Sequence, residues 1–304
     1  MKVIFIGGFY PKEYIEQIRL HSKGPIANAN NALQWGYIEG LHSHFRSSKM
    51  NLLQLISLPQ IGAYPWRYRK MFFKVRNTIF GNDKGVRGVC SNFMNLVAFK
   101  HISRYYSARK ALSDLLKTFS WKSKVLVIIY DFQIPIIKAF ISMRKKYPNL
   151  RCCLIVPDLQ GLTGSKENFL HKVFEYIERK QLKTIYHAID SYVLISKYMI
   201  EKLPINSKPW TVIEGIYNPS DEALSLLTKQ KIKTIKNVLY SGALDKRNGV
   251  HNLIKAFLGI NDPTFRLILC GDGYLRPMIE TIAQQDSRIE YKGQLERSQV
   301  LALQ

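Results

Sequence analysis

The sequence predicts a parallel α/β protein built as two doubly wound lobes, the second shorter than the first. Three observations carry that expectation. Short β-rich runs alternate with longer stretches of helical period along the chain. The alternation breaks at "EGIYNPSDEALSLLTKQKIKT", where a glycine, an Asn-Pro turn and a polar stretch intervene. It then restarts and passes through three more strand-like segments before Gln304.

In the first lobe, strands are expected at 2–7, 51–56, 125–130, 151–156, 191–195 and 211–213, short apolar runs of the kind buried in parallel sheets. Helices are expected at 28–44, 67–80, 104–118, 134–146, 167–188 and 196–202. The first lobe spans 1–214 and a linker covers 215–236. The second lobe, 237–304, holds strands at 237–241, 265–270 and 289–292, with helices at 249–259, at 274–285 and from near 296. Three strands are fewer than the roughly five or six of an average sheet, so this lobe reads as incomplete.

Composition narrows the class. A chain of 304 residues with 46% hydrophobic content can bury two cores, which excludes disorder as the default. No apolar run approaches the roughly 20 residues that span a bilayer, and "MKVIFIGGFYPKEY" has no signal-peptide cleavage pattern. Cys90, Cys152, Cys153 and Cys270 have no paired zinc spacing, and "HSH" at 42–44 lacks a third ligand. A reducing cytoplasm and no bound metal are expected. The formal charge is +23, and residues 61–124 alone carry fourteen Lys or Arg against two Asp. Such a field attracts polyanions, whether nucleic acid or anionic lipid.

Two glycine turns follow strands of the second lobe. "SGALDKRNG" contains Gly242, Lys246, Arg247 and Gly249, and "CGDGYL" contains Gly271 and Gly273. At the carboxyl edge of an open α/β sheet, such turns can bring backbone N–H groups and cations to a diphosphate. They can equally be ordinary strand ends with solvated cations. Gly7 and Gly8 in "IGGFYP" place a loop at the same edge of the first lobe, without the G-x-G-x-x-G of dinucleotide binders.

Within 63–80, Tyr68, Phe72, Val75 and Ile79 fall on one helical stripe. With Trp66, Arg67, Arg69, Lys70, Phe73 and Lys74 around it, the segment reads as a membrane-facing basic amphipathic helix. A domain helix with solvated cations fits the same pattern. D-x-D, G-x-S-x-G and P-loop motifs are absent, and so is any recognised nucleic-acid-binding motif with base-stacking aromatics.

"VLYSGALDKRNGVHNLIKAF" with "FRLILCGDGYLRPMIETIAQQDSRIEYKGQLERSQVLAL" resembles the donor lobe of family 4 glycosyltransferases of bacterial capsule and exopolysaccharide synthesis. "FIGGFYPKEY", "NANNALQWGYIEGL", "VPDLQG" and "LISKYMIEKLPINSKPWTVIEGI" resemble their acceptor lobe. The resemblance implies the GT-B fold of two Rossmann-like lobes and a nucleotide diphosphate sugar as donor. It also implies a lipid-linked glycan acceptor at the cytoplasmic membrane face, retention of configuration and no metal.

The sequence departs from the family at three places. Ala243 and Asn248 stand where cations are often found, and Gln133 in "YDFQIP" stands where a His is frequent. The family's E-x7-E segment is expected further along the second lobe than Gln304. A non-catalytic basic α/β protein binding at a membrane surface is the competing expectation.

Overall fold

A computed structural model describes residues 1–24, 26–47, 53–81, 86–97, 99–159, 184–205, 207–216, 235–295 and 297–303. The chain divides into two compact units, Met1–Tyr217 and Asn218–Gln304.

The first unit is organised by one eight-stranded sheet. Its strands are β1 (Lys2–Gly7), β2 (Leu53–Ser57), β4 (Ile79–Gly81), β5 (Arg87–Cys90), β7 (Val125–Tyr130), β8 (Leu150–Val156), β9 (Ser191–Leu194) and β10 (Trp210–Val212). They lie in the order β10-β9-β8-β7-β1-β2-β5-β4, parallel throughout except for β4 against β5. The small pair β3 (Phe72–Phe73) and β6 (Phe93–Met94) stands apart. Its helices among the described residues include α1 (Ile15–His21), α2 (Asn28–Ser47), α3 (Lys100–Lys117) and α4 (Ile134–Arg144).

Side chains alternate across each strand, so β1 sends Ile4 and Ile6 into one core and Val3 and Phe5 into another. The first core also takes α3 and α4, through residues such as Leu112 and Phe140; the second takes α2, through Tyr37 and Ile38. With both faces covered, the central strands β1 and β7 are apolar almost end to end, as sequence periodicity anticipates. From β1 the chain runs outward through β2 and β5, then returns to add β7 on the other flank of β1. The carboxyl ends of β1 and β7 therefore form the topological switch point, where open α/β sheets bind ligands.

The second unit has a three-stranded parallel sheet among the described residues: β11 (Lys236–Ser241), β12 (Phe265–Cys270) and β13 (Ile289–Gly293). Three helices accompany it, α5 (Val250–Leu258), α6 (Arg276–Gln285) and α7 (Arg297–Leu301). Val250, Ile254 and Phe257 fall on one face of α5 and pack on Leu267 and Leu269.

The helix expected over 67–80 does not form. The stretch is irregular chain with β3 and β4, and it buries Tyr68, Phe73, Val75 and Phe80, leaving Phe72 and Ile79 exposed. Tertiary hydrogen bonds override the helical stripe: Arg69 N–H donates to His21 O at 2.7 Å and Val75 N–H to the Asn92 side-chain Oδ1 at 2.8 Å. Phe73, expected at a membrane face, is buried and stacked on Phe93 with ring centroids 5.2 Å apart. Most of the helix expected at 167–188 and of the linker at 215–236 lies outside the described residues.

Candidate functional site

Each unit presents a loop pair at the carboxyl edge of its sheet. In the second unit the turns after β11 and β12 lie side by side. Gly242 N–H donates to Cys270 O at 3.0 Å, Leu244 N–H to Asp272 O at 3.1 Å, and Leu275 N–H to Leu244 O at 2.9 Å. Leu244 is fully buried beneath them. A methyl group on Gly271 would come within 1.9 Å of Gly242 O, and one on Gly273 within 2.7 Å of Leu244 O. Gly271 also sits at φ +135°, open only to glycine. The close approach these two glycines permit is thus between two turns of the chain itself.

What the zippered turns display is cationic. Lys246 is exposed on a short 3₁₀ turn, Lys246–Asn248. Gly249 follows at φ +76°, a left-handed residue from which α5 starts without a side-chain cap. The α5 N-terminus therefore faces outward with its positive dipole end. Arg247 stands on the same turn, between Lys246 and Asn248. Asn248 braces the turn, donating from Nδ2 to Ala243 O at 2.9 Å, and the Tyr240 hydroxyl donates to the same oxygen at 2.8 Å.

In the first unit the equivalent edge is built from side chains. Gly7 and Gly8 leave β1 beneath α2, whose buried Gln34 accepts the Gly8 N–H at 2.8 Å through Oε1. Gln34 Nε2 in turn donates to Asn30 Oδ1 at 2.7 Å. One turn on, Tyr10 N–H donates to Asn31 Oδ1 at 2.7 Å, while Trp35 Nε1 donates to Tyr10 O at 2.9 Å. A methyl on Gly7 would meet Gln34 Oε1 at 2.2 Å, so this glycine and this glutamine require each other.

Gln133 opens α4 at the end of β7 and is fixed by a buried cation. Its Oε1 accepts from Arg104 at 2.6 Å, and its Nε2 lies towards Gly8 and Tyr130 O. Arg104 also donates to Leu58 O at 2.9 Å and Pro59 O at 3.0 Å, and stacks over Phe93 at 5.0 Å. No carboxylate pairs with it among the described residues, and burial pushes its pKa down to about 10. Lys100, one turn earlier, donates to Ile61 O; burial first and Arg104 second push its pKa down to about 8. Gln133 is thereby fixed at both ends of its amide, its Nε2 donating to Tyr130 O at 3.3 Å beside Gly8.

Between Tyr130 and Gln133 stands Asp131, a feature not anticipated from sequence. It is the one non-glycine residue at positive φ, +68°, among the described residues. Burial raises its pKa, and Asp158 at the end of β8 adds to the rise. The signal for it was slight: an acid directly after the run "VLVIIY". Among the described residues no three His, Cys, Asp or Glu side chains are grouped to hold a metal ion.

No family model matches this sequence, and no curated protein does either. Solved structures do match in fold. Sucrose-phosphate synthase of Thermosynechococcus elongatus aligns with 100% of this chain and 73% of its own, at TM-score 0.60 and 13% identity. The catalytic domain of starch synthase IV from Arabidopsis thaliana, bound to ADP and acarbose, aligns with 99% of this chain and 76% of its own, at 0.57 and 12%. HepE of Anabaena in complex with UDP aligns with 99% and 71%, at 0.53 and 11%. At such identities the likeness is one of architecture: the chain has the GT-B fold that these glycosyltransferases share.

Proposed function

We propose that this chain transfers a sugar from a nucleoside diphosphate donor to a lipid-linked glycan at the inner face of the plasma membrane, in surface polysaccharide synthesis. The transfer retains configuration and uses no metal. The observation that carries the reading is the cationic, zippered pair of turns after β11 and β12, set in a fold whose sugar-transferring neighbours include complexes with ADP and UDP. A departing diphosphate gathers negative charge as the glycosidic bond breaks. Lys246, Arg247 and the uncapped start of α5 offset that charge without a cation from solution.

At the switch point of the first unit, the Gln133 amide donates to a ligand oxygen and the Asp131 carboxylate accepts from a ligand hydroxyl. This pairing suits the hydroxyl-rich surface of a sugar.

Thermal unfolding with UDP, ADP and GDP tests the reading. A nucleotide at a hundred times its Kd stabilises the folded chain by about 2.7 kcal/mol, so at least one of the three raises the midpoint. If none does, the chain is a non-catalytic basic protein of the membrane surface. One observation favours that alternative: Asn248 stands where many of the enzymes it resembles place a cation, and its amide is committed to Ala243 O.

A further inference from the structure

We infer that this protein docks on anionic phospholipid bilayers through a surface formed by the first two turns of α3 together with the segment 66–72. This is not the amphipathic helix that the sequence suggests, because no helix forms there. Phe99, Ile102 and Tyr106 follow one another at helical spacing along the outer face of α3 and are 52%, 56% and 60% exposed. The opposite face buries Arg104, Ala108 and Leu112. Trp66, 77% exposed, and half-exposed Phe72 lie in the adjoining segment.

Backbone bonds join the two pieces. Asn95 N–H donates to Met71 O at 2.6 Å, Tyr64 N–H donates to Asn95 O at 2.9 Å, and Phe72 pairs with Met94 across β3 and β6. Val97, also exposed, then leads into α3.

The charge around these apolar side chains identifies what covers them. Arg67, Arg69, Lys70 and Lys74 are exposed, and none has a carboxylate within ion-pair distance among the described residues. Lys74 lies over the Phe72 ring at 5.4 Å, so cation and apolar surface share one patch. Lys110 continues the stripe one turn beyond Tyr106. Aromatic and aliphatic side chains ringed by unpaired cations match the interface of a bilayer rich in anionic headgroups.

The placement deepens the proposed function and rests on it for the identity of the acceptor. Lys100 and Arg104, on the same turns of α3, bond Ile61, Pro59 and Leu58 carbonyls just past the end of β2. Docking here brings the carboxyl edge of the first sheet, with Gly8 and Gln133, close to the lipid surface that carries the acceptor.

Co-sedimentation with phosphatidylcholine vesicles, with and without phosphatidylglycerol, tests the proposal on the full chain. Binding is expected on the anionic vesicles, weaker on the neutral ones and reduced by salt. The double variant Ile102→Ser/Tyr106→Ser should bind at least about tenfold more weakly at every salt concentration. Arg69→Glu/Lys70→Glu should lose the preference for anionic lipid. Circular dichroism checks that both variants are folded, and these exposed positions leave the cores untouched.

Undiminished binding by the apolar variant overturns the proposal. So does a wild-type dimer that dissociates on Ile102→Ser/Tyr106→Ser and does not bind vesicles, since the face is then a subunit contact. Vesicle binding requires no nucleotide. A protein that binds vesicles but no nucleoside diphosphate therefore sinks the enzymatic reading and leaves this one standing.

Discussion

The two units solve one geometric problem by different means. Each has a parallel sheet whose first strands end in glycines, and each must hold the turns after neighbouring strands in register. In the second unit backbone bonds do most of it: the turns after β11 and β12 continue the ladder past the strand ends, Gly271 and Gly273 make room for it, and one side-chain bond, Tyr274 N–H to Asp245 Oδ1 at 3.3 Å, stands beside them. In the first unit side chains do it, with Gln34 gripping Gly8 and Arg104 gripping the carbonyls beyond β2 together with Gln133. A backbone frame tolerates almost any outward side chain but no side chain at its contact points. A side-chain frame depends on particular amides and a particular guanidinium.

The largest expected effect breaks the backbone frame. Gly271→Ala forces a methyl against Gly242 O at a φ that L residues avoid, and it should destabilise the second unit by about 2–5 kcal/mol. In urea the transition of that unit should move to lower concentration while that of the first unit stays in place. A shift of both together would mean that the two units unfold as one.

Gln34→Ala attacks the side-chain frame and should cost less. It leaves the buried Gly8 N–H without an acceptor, worth about 1–3 kcal/mol, and frees Asn30 Oδ1. The loss should appear in the transition of the first unit. Gln34→Glu, which keeps an acceptor in place, should recover part of it.

The smallest effect has the opposite sign. Asp131→Gly relieves a left-handed residue and should stabilise the first unit by roughly 1 kcal/mol. It also deletes the carboxylate proposed to receive a ligand hydroxyl. Raised stability with undiminished sugar transfer would remove Asp131 from the site, whereas raised stability with lost transfer would place it there.

These differences also explain what was legible in the sequence. The second unit could be read closely, because its strands, its amphipathic α5 and its glycine turns are local patterns. β11, β12 and β13 begin within a residue of where periodicity places them. Even there the cause was hidden: Gly271 and Gly273 look the same in sequence whether they admit a ligand or a neighbouring turn.

In the first unit the apolar strands were equally plain, but the stretch between β2 and α3 was not. Tyr68, Phe73 and Val75 are buried with partners distant in sequence: His21 lies edge-on to Tyr68 with ring centroids 5.9 Å apart, Phe93 stacks on Phe73, and Asn92 Oδ1 accepts the Val75 N–H. A helical stripe in that stretch was an accident of spacing. Arg104 was concealed for a different reason: a cation in a helical pattern reads as solvent-facing, and only the three oxygens it meets make its burial possible.

The backbone zipper of the second unit has a consequence for how such a chain can change over time. Its register is set by amide groups common to every residue, so Ala243, Lys246, Arg247 and Asn248 can be exchanged without unfastening the turns from each other. The loop proposed to hold a sugar nucleotide can therefore change in single steps, each leaving a folded protein for the next to act on.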